Sequence, residues 1–329
     1  LFATGRGRIV TGMTETTQHR PTLVLGGTGK TGRRIVERLT RRHIPVRIGS
    51  RSAGLPFDWD QPDTWGPAFQ DVQAAYIAYA PDVAMPGSTD VIAGVIETAL
   101  AAGTRRLVLL SGRGEDQAQA CEKILVDSGA EWTVLRGSWF NQNFSEGYLL
   151  DPVLAGHVML PVGDVGEPFI DADDIADVAA AVLTDSRHAG ELYELTGPRL
   201  LTFAEATATI AEAAGRDIAY TRISPEDFAA GLASDGVPPD LVDVLVYLFA
   251  IVLDGRNAAV TDDVERVLGR PPRDFADYAP AAAASGAWNP PSPGSTPVSQ
   301  GSWQAGTLPA ATVAMGPTAG GPDHGRSGR

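Results

Sequence analysis

The chain has 329 residues, a formal net charge of −14 and 43% hydrophobic residues, enough apolar material for one large α/β domain or a domain with a smaller lobe. The acidic balance argues against nucleic acid or an anionic membrane as a partner, because like charges repel, and no apolar run approaches the roughly 20 residues a spanning helix needs. A single cysteine, Cys121, excludes an internal disulfide framework and fits a reducing cytoplasm.

From the amino end, residues 1–20 read as a flexible extension without the apolar core of a secretory signal, and Met13 reads as the start of the protein proper. The apolar run Leu23-Val24-Leu25 then leads directly into Gly26-Gly27-Thr28-Gly29-Lys30-Thr31-Gly32 and a helix-patterned segment. A strand, a glycine turn and a helix start in that order suit a dinucleotide pyrophosphate. Gly26 lets the chain turn off the strand, Gly29 keeps the backbone bare where phosphates pass, and Gly32 lets the helix lie close on the sheet. The helix start offers unpaired N–H groups and the positive end of the helix dipole. Lys30-Thr31 lacks the upstream glycine of a Walker loop, which disfavours a kinase or ATPase of that kind.

Apolar periodicity predicts strands at 23–25, 46–48, 74–80, 107–111 and 132–135, alternating with helices at 31–42, 88–102 and 115–128. Gly103 and Gly129 stand where helix-ending glycines belong. The alternation argues for a doubly wound parallel α/β sheet, a Rossmann dinucleotide-binding core over 21–140. From 141 to 280 the punctuation changes: Asp173-Asp174 opens a helix, Tyr193 to Thr196 is strand-like, Thr202 to Glu205 is a capping box, and Ser224-Pro225 starts another helix. These pieces suit a smaller C-terminal α/β lobe that closes over the cofactor and contacts substrate. The apolar run Val244 to Leu253 reads as a buried or lid helix beside that pocket. Residues 281–329, rich in Ala, Pro, Gly and Ser without periodicity, read as a disordered tail.

NAD-specific folds place an acidic residue about 20 residues past the glycine turn, on the ribose hydroxyls. Here the chain reads Gly49-Ser50-Arg51-Ser52, with a cation in that place. Ser50 and Arg51 suit a 2′-phosphate, which makes NADP(H) the preferred cofactor with NAD(H) as the second choice; the competing reading of Arg51 is a solvated strand-end cation.

The glycine turn, the segment Val46 to Ser52, Phe57-Asp58-Trp59 with Thr64-Trp65, and Tyr76 to Pro81 together resemble the NmrA-like atypical short-chain dehydrogenase/reductases. Trp132 to Arg136, Ser138 to Phe144, Pro168 to Ile175 and Leu195 to Pro198 extend the resemblance, which is narrower still to the ergot-alkaloid agroclavine and festuclavine dehydrogenase subgroup and its bacterial relatives. It implies a two-lobe molecule with the cofactor at the carboxyl ends of the strands. Gly26, Thr28, Gly29, Lys30, Thr31 and Gly32 would line the pyrophosphate, and Ser50 and Arg51 the adenosine phosphate. Tyr79, Ala80 and Pro81 would pass beneath the ribose and nicotinamide side, with Gly112 beyond the next strand. Trp139, Phe140 and Asn143 would border the nicotinamide and the substrate; for Trp139 and Phe140, ordinary core between the lobes stands as an equal reading.

Ordinary members of that superfamily use Tyr-x-x-x-Lys to exchange a proton with the substrate oxygen. Residues 112–123 contain no tyrosine, so alcohol oxidation by that route is disfavoured. Hydride transfer to an iminium or another electrophilic acceptor needs positioning more than acid catalysis, as the resemblance implies. Ser111 is the one polar helper the sequence offers, against the plainer reading of a strand-end serine. Asp171, Asp173 and Asp174 read as a helix cap, Cys121 as a small buried hydrophobe, and the five scattered histidines as no metal site. Two functions remain open: an NADPH-dependent reductase of a small aromatic, iminium or enone metabolite, favoured by Trp139, Phe140, Tyr148, Tyr247 and Phe249, and a non-catalytic NADP(H) sensor that acts on a protein partner.

Overall fold

A computed structural model describes residues 20–289; the expected N-terminal extension to residue 19, Met13 and the tail from 290 lie outside the described residues. In chain order the strands are β1 (Thr22–Leu25), β2 (Val46–Gly49), β3 (Ala74–Ile77), β4 (Arg106–Gly112), β5 (Glu131–Gly137), β6 (His157–Leu160), β7 (Glu191–Leu195) and β8 (Ala219–Arg222). The helices of the first half are α1 (Lys30–Arg41), α2 (Trp65–Phe69), α3 (Ser88–Ala101), α4 (Asp116–Asp127), α5 (Asn143–Glu146) and α6 (Leu150–Ala155). Those of the second half are α7 (Ala172–Val182), α8 (Phe203–Ala214), α9 (Pro225–Ser234), α10 (Pro239–Val246), α11 (Asp263–Leu268) and α12 (Phe275–Ala284).

Six strands form one parallel sheet in the order β2-β1-β3-β4-β5-β7, and each parallel pair requires a crossover, supplied by helices on both faces. Leu23, Val24 and Leu25 are fully buried because β1 lies inside the sheet with helices above and below. The chain order reverses between β1 and β3, which opens a crevice at the carboxyl ends of those strands. On one face Val24, Tyr76, Val108 and Leu135 pack under α1 and α7; on the other Leu23, Leu25, Ile77 and Leu109 pack under α3 and α4. Cys121 is fully buried in the latter layer, a free thiol filling core space.

The C-terminal lobe has its own core of rings packed edge-on or tilted, Phe144, Phe169, Phe203, Phe249 and Phe275, beside the two-stranded parallel pair of β6 and β8. Ion pairs fasten the pieces. Arg38 of α1 reaches Asp177 of α7 at 2.6 Å, and Arg34 reaches Glu146 of α5 at 2.8 Å. The Asp171 side chain caps α7 by accepting the Asp173 N–H at 2.7 Å, while Asp173 pairs with Arg34 and Arg38, and Asp174 with Arg270 and Arg273.

Order extends further than composition suggests at the carboxyl side. α12 runs to Ala284, beyond the expected start of the tail at 281, and Trp288 is buried with its indole N–H donating to the Phe144 carbonyl at 2.8 Å. The alanines of 281–284 are helical because α12 packs on α8, where small side chains permit close approach.

Candidate active site

The glycine turn follows β1. Gly26 has φ +69°, a conformation that strains any residue with a Cβ, and its N–H donates to the Gly49 carbonyl at 3.0 Å, tying the turn to the end of β2. A Cβ on Gly32 would stand 2.1 Å from the Gly26 carbonyl oxygen, so α1 can begin this close to the turn only with glycine there. A Cβ on Gly29 would meet only that same oxygen, at 3.2 Å, and Thr28 and Gly29 are exposed. The first turn of α1 carries no acidic side chain. An exposed, bare backbone at a helix N-terminus fits a diphosphate on both geometry and charge. Ser50 and Arg51 follow β2 immediately, beside this turn, with Ser50 Oγ 3.4 Å from Ser52 Oγ.

The Thr31 hydroxyl does not face that opening. It is buried and accepts the Tyr76 O–H at 3.0 Å, so the side chain anchors α1 to β3. Lys30 reaches instead across the crevice, where its Nζ donates to Asn143 Oδ1 at 2.7 Å.

After β3 the Tyr79 ring meets Trp59 edge-on at 5.1 Å, and Trp59 meets Phe57 at 4.8 Å, so Tyr79 faces the aromatic cluster that follows β2. Ala80-Pro81 is a cis peptide, and Asp82 then accepts the Ala84 N–H at 2.8 Å. Beyond β4, Glu115 folds back over the strand end: a Cβ on Gly112 would fall 2.0 Å from its Oε1, and its Oε2 is buried without a hydrogen-bond partner. The Ser111 hydroxyl donates to Glu122 Oε1 at 2.6 Å. Glu122 in turn receives Arg136, which shares Glu194 with Arg113, and Arg113 donates to the Asn257 and Ala259 carbonyls. Ser111 therefore belongs to a network that fastens the sheet to the second lobe.

Trp139 and Phe140 follow β5 in extended chain and part company. Phe140 turns into the core, where a Cβ on Gly137 would sit 2.9 Å from its ring. Trp139 enters the lobe junction, with ring centroids 4.6 Å from Phe249, 5.5 Å from Phe203 and 6.2 Å from Tyr148. Asn143 Nδ2 donates to the Tyr148 hydroxyl at 3.3 Å. The expected lid is α10 continued as a π-helical segment, Tyr247–Val252, a form common at functional sites. Its Tyr247 hydroxyl accepts the Asp116 N–H at 3.2 Å, and its apolar side packs on Ala84, Met85 and Trp139.

Burial perturbs several groups here. It pushes the Lys30 ammonium down to about 8, against the opposing pull of Glu146 and Asp82. It raises the Asp82 carboxyl, while the Ala84 N–H and Lys30 act the other way. Glu115 is held well above the carboxylate range by burial, then by Asp82 and Glu122. Glu167, buried beside Trp139, is pushed up to about 7 by burial, opposed by the Trp139 N–H at 3.3 Å and by Arg113. Asp82, Glu115 and Glu167 escaped sequence reasoning. The first two follow strand ends, which is the signal that marks such positions; Glu167 carries no local signal. Among the described residues no group of three or more His, Cys, Asp or Glu could hold a metal ion, and no helix is long and apolar enough to cross a membrane.

A family model described as NAD(P)H-binding matches residues 26–186. The festuclavine dehydrogenase of Aspergillus fumigatus is 33% identical over 287 residues, 78% of this chain and 96% of that protein. The NAD(P)H azoreductase of Xenophilus azovorans is 31% identical over 289 residues, 80% of this chain and 98% of that protein. Among solved structures, an NADPH-dependent quinone oxidoreductase from Escherichia coli, complexed with NADPH, shares the fold with a TM-score of 0.66 at 23% identity, covering 78% of this chain and 98% of that one.

Proposed function

The chain belongs to a family of NAD(P)H-binding proteins that includes festuclavine dehydrogenase and NAD(P)H azoreductase, and is an NAD(P)H-dependent oxidoreductase; from that premise we propose that it reduces a small, planar, conjugated electrophile, such as an iminium, an enone or an azo compound, with NADPH. The observation that carries this reading is the aromatic wall of Trp139, Tyr148 and Phe249, joined at the lobe junction and set beside Asn143 and Lys30. Tyr148 meets both other rings edge-on, Trp139 lies at 42° to the buried Phe249, and the partly exposed Trp139 and Tyr148 suit a flat acceptor, whose face stacks against them. An azo acceptor, which the name of one relative gives, and an iminium, which the resemblance to the clavine dehydrogenases implies, share a double bond that accepts hydride. When bound, NADPH supplies that hydride. The chain's own part is to hold the diphosphate at the bare turn of Gly26, Thr28 and Gly29, to keep water out with the Tyr247–Val252 segment, and to fix the acceptor against Trp139.

Preference for NADPH rests on Ser50 and Arg51, placed beside the glycine turn with no carboxylate among residues 49–52. The test is NADPH oxidation by the purified protein with a cyclic iminium, an enone, a quinone and an azo dye. Turnover of at least one is expected; tight NADPH binding with no turnover of any would overturn the reading. Arg51→Ala should weaken NADPH by roughly 10-fold or more and NADH hardly at all; equal losses would remove the assigned role of Arg51.

A further inference from the structure

The sequence has no local tyrosine–lysine pair, but a tyrosine and a lysine from two distant segments are linked in space through one asparagine. Lys30 Nζ donates to Asn143 Oδ1 at 2.7 Å, and Asn143 Nδ2 donates to the Tyr148 hydroxyl at 3.3 Å. The polarity of this chain is forced. An ammonium can only donate, so the amide oxygen must face Lys30, which turns the amide N–H groups toward the phenol. The phenol oxygen is thus the acceptor, and its O–H is the donor toward any further partner.

The hydroxyl also lies where the site should be. Lys30 opens α1, which follows β1; Asp82 lies in the loop after β3, Glu115 in that after β4, Asn143 opens α5, which follows β5, and Tyr148 lies just beyond α5. Burial first, and then the charges of Asp82 and Glu115, hold the Tyr148 phenol well above its ordinary range. Asn143 contacts this hydroxyl directly, Lys30 reaches it through Asn143, and the charges of Asp82 and Glu115 act on it, all from the carboxyl ends of the strands, where a doubly wound sheet holds its cofactor. The Tyr148 ring lies against Trp139 and Phe249 of the proposed acceptor wall.

We propose that Tyr148 donates the proton in this reduction, positioned by Lys30 through Asn143, and that this equips the chain for acceptors that need a proton as well as hydride. The assignment rests on the reductase reading above. A quinone, enone or azo acceptor gains two electrons and a hydrogen nucleus from the reduced nicotinamide, and negative charge appears on its oxygen, carbon or nitrogen. The Tyr148 O–H bond breaks as that atom takes the proton. The phenolate left behind faces the Asn143 N–H, polarised by the Lys30 ammonium, and recovers its proton from water. An iminium becomes a neutral amine on hydride transfer alone and does not call on Tyr148.

Tyr148→Phe keeps the ring contacts and removes only the hydroxyl. With a quinone or azo acceptor its kcat should fall about 100-fold, at least about 30-fold further than with an iminium, and NADPH affinity by fluorescence titration should stay at the wild-type value. Equal loss on both acceptor types, or no loss on either, would overturn the assignment. A second readout needs neither cofactor nor turnover: the tyrosinate difference spectrum between wild type and Tyr148→Phe, followed with pH. The groups that face this titration are Asp82 and Glu115 on Tyr148, and Glu146, Asp82, Arg33 and Arg34 on Lys30. Lys30→Met should move the Tyr148 midpoint further upward; a midpoint indifferent to Lys30 would sink the positioning role. If wild type binds NADPH but reduces no acceptor, the functional reading fails, and the spectrum alone then decides whether Lys30 controls Tyr148.

Discussion

Glu167 shows how much a single buried side chain can impose. Its carboxyl is 1% exposed, accepts one N–H through Oε1, and leaves Oε2 without a partner. Burial raises it from 4.5 to about 7, so between those values the folded protein holds a proton that the unfolded chain has released. Stability therefore falls as pH rises through that window. Glu167→Gln removes the ionisation while keeping the acceptor for Trp139, and should raise stability at pH 8 by roughly 1 to 3 kcal/mol with little effect near pH 5. Urea unfolding at the two pH values measures the difference, and an equal gain at both would refute the cause. The two glycines nearest α1 should separate in the same way. Gly32→Ala places a Cβ 2.1 Å from a carbonyl oxygen and should cost about 3 kcal/mol of stability. Gly29→Val brings a Cβ to 3.2 Å from the same oxygen, a contact a small shift of the turn relieves, so it should cost much less stability than Gly32→Ala yet weaken NADPH about 100-fold or more. Thermal unfolding and dinucleotide titration distinguish the two. The glycine spacing was legible in the sequence because each glycine answers a demand of the local backbone. Lys30 turning to Asn143, and Thr31 to Tyr76, was not, since those partners lie far along the chain.

At the scale of elements, local signals served well where local forces dominate. The expected capping box is present at Thr202 and Glu205, Ser224 caps α9, and Gly103 and Gly129 adopt φ +84° and +78° after their helices. All five strands expected before residue 140 exist: the inner strands read as apolar runs because they are buried on both faces, while β2, at the sheet edge and partly buried, reads from Val46 and Ile48 alone. β6 and β8 were missed: each is four residues long and pairs only with the other across the lobe. α7 illustrates how ions hold an element in place. Asp174 is fully buried, accepts the Arg273 N–H at 2.6 Å, and pairs with the guanidinium groups of Arg270 and Arg273. Asp174→Ala should cost about 2 to 4 kcal/mol, because it leaves the Arg273 N–H unanswered and takes from Arg270 and Arg273 one of their two carboxylates, leaving Asp177 alone to both. Double-mutant cycles with Arg270→Ala and Arg273→Ala should return non-additive losses; additivity would show that the pairs contribute nothing.

The whole molecule is two cores joined through the site. Ion pairs tie α1 to α5 and α7, the Ser111–Glu122–Arg136–Glu194–Arg113 network reaches the 257–259 segment, and the Tyr247–Val252 segment bridges back to Asp116. Trp288 closes the second core over Phe144, the neighbour of Asn143. Trp288→Ala should therefore cost about 3 to 5 kcal/mol, and it should slow turnover with every acceptor alike, since it loosens the strand-end loop rather than the proton donor. Denaturant midpoints and parallel rates with an iminium and a quinone check both halves of that expectation.

By itself the sequence determined the parallel sheet, the glycine turn at its centre and hence the dinucleotide class, because strand burial, helix caps and glycine conformations are decided by neighbours in the chain. Only the tertiary structure decided that Ser111 is tied into a charge network, that Phe140 turns inward while Trp139 faces the lobe junction, and that Lys30 and Tyr148 share Asn143. Those facts depend on which strand ends lie side by side and how two cores close on each other, and long-range packing leaves no periodic trace in the order of residues.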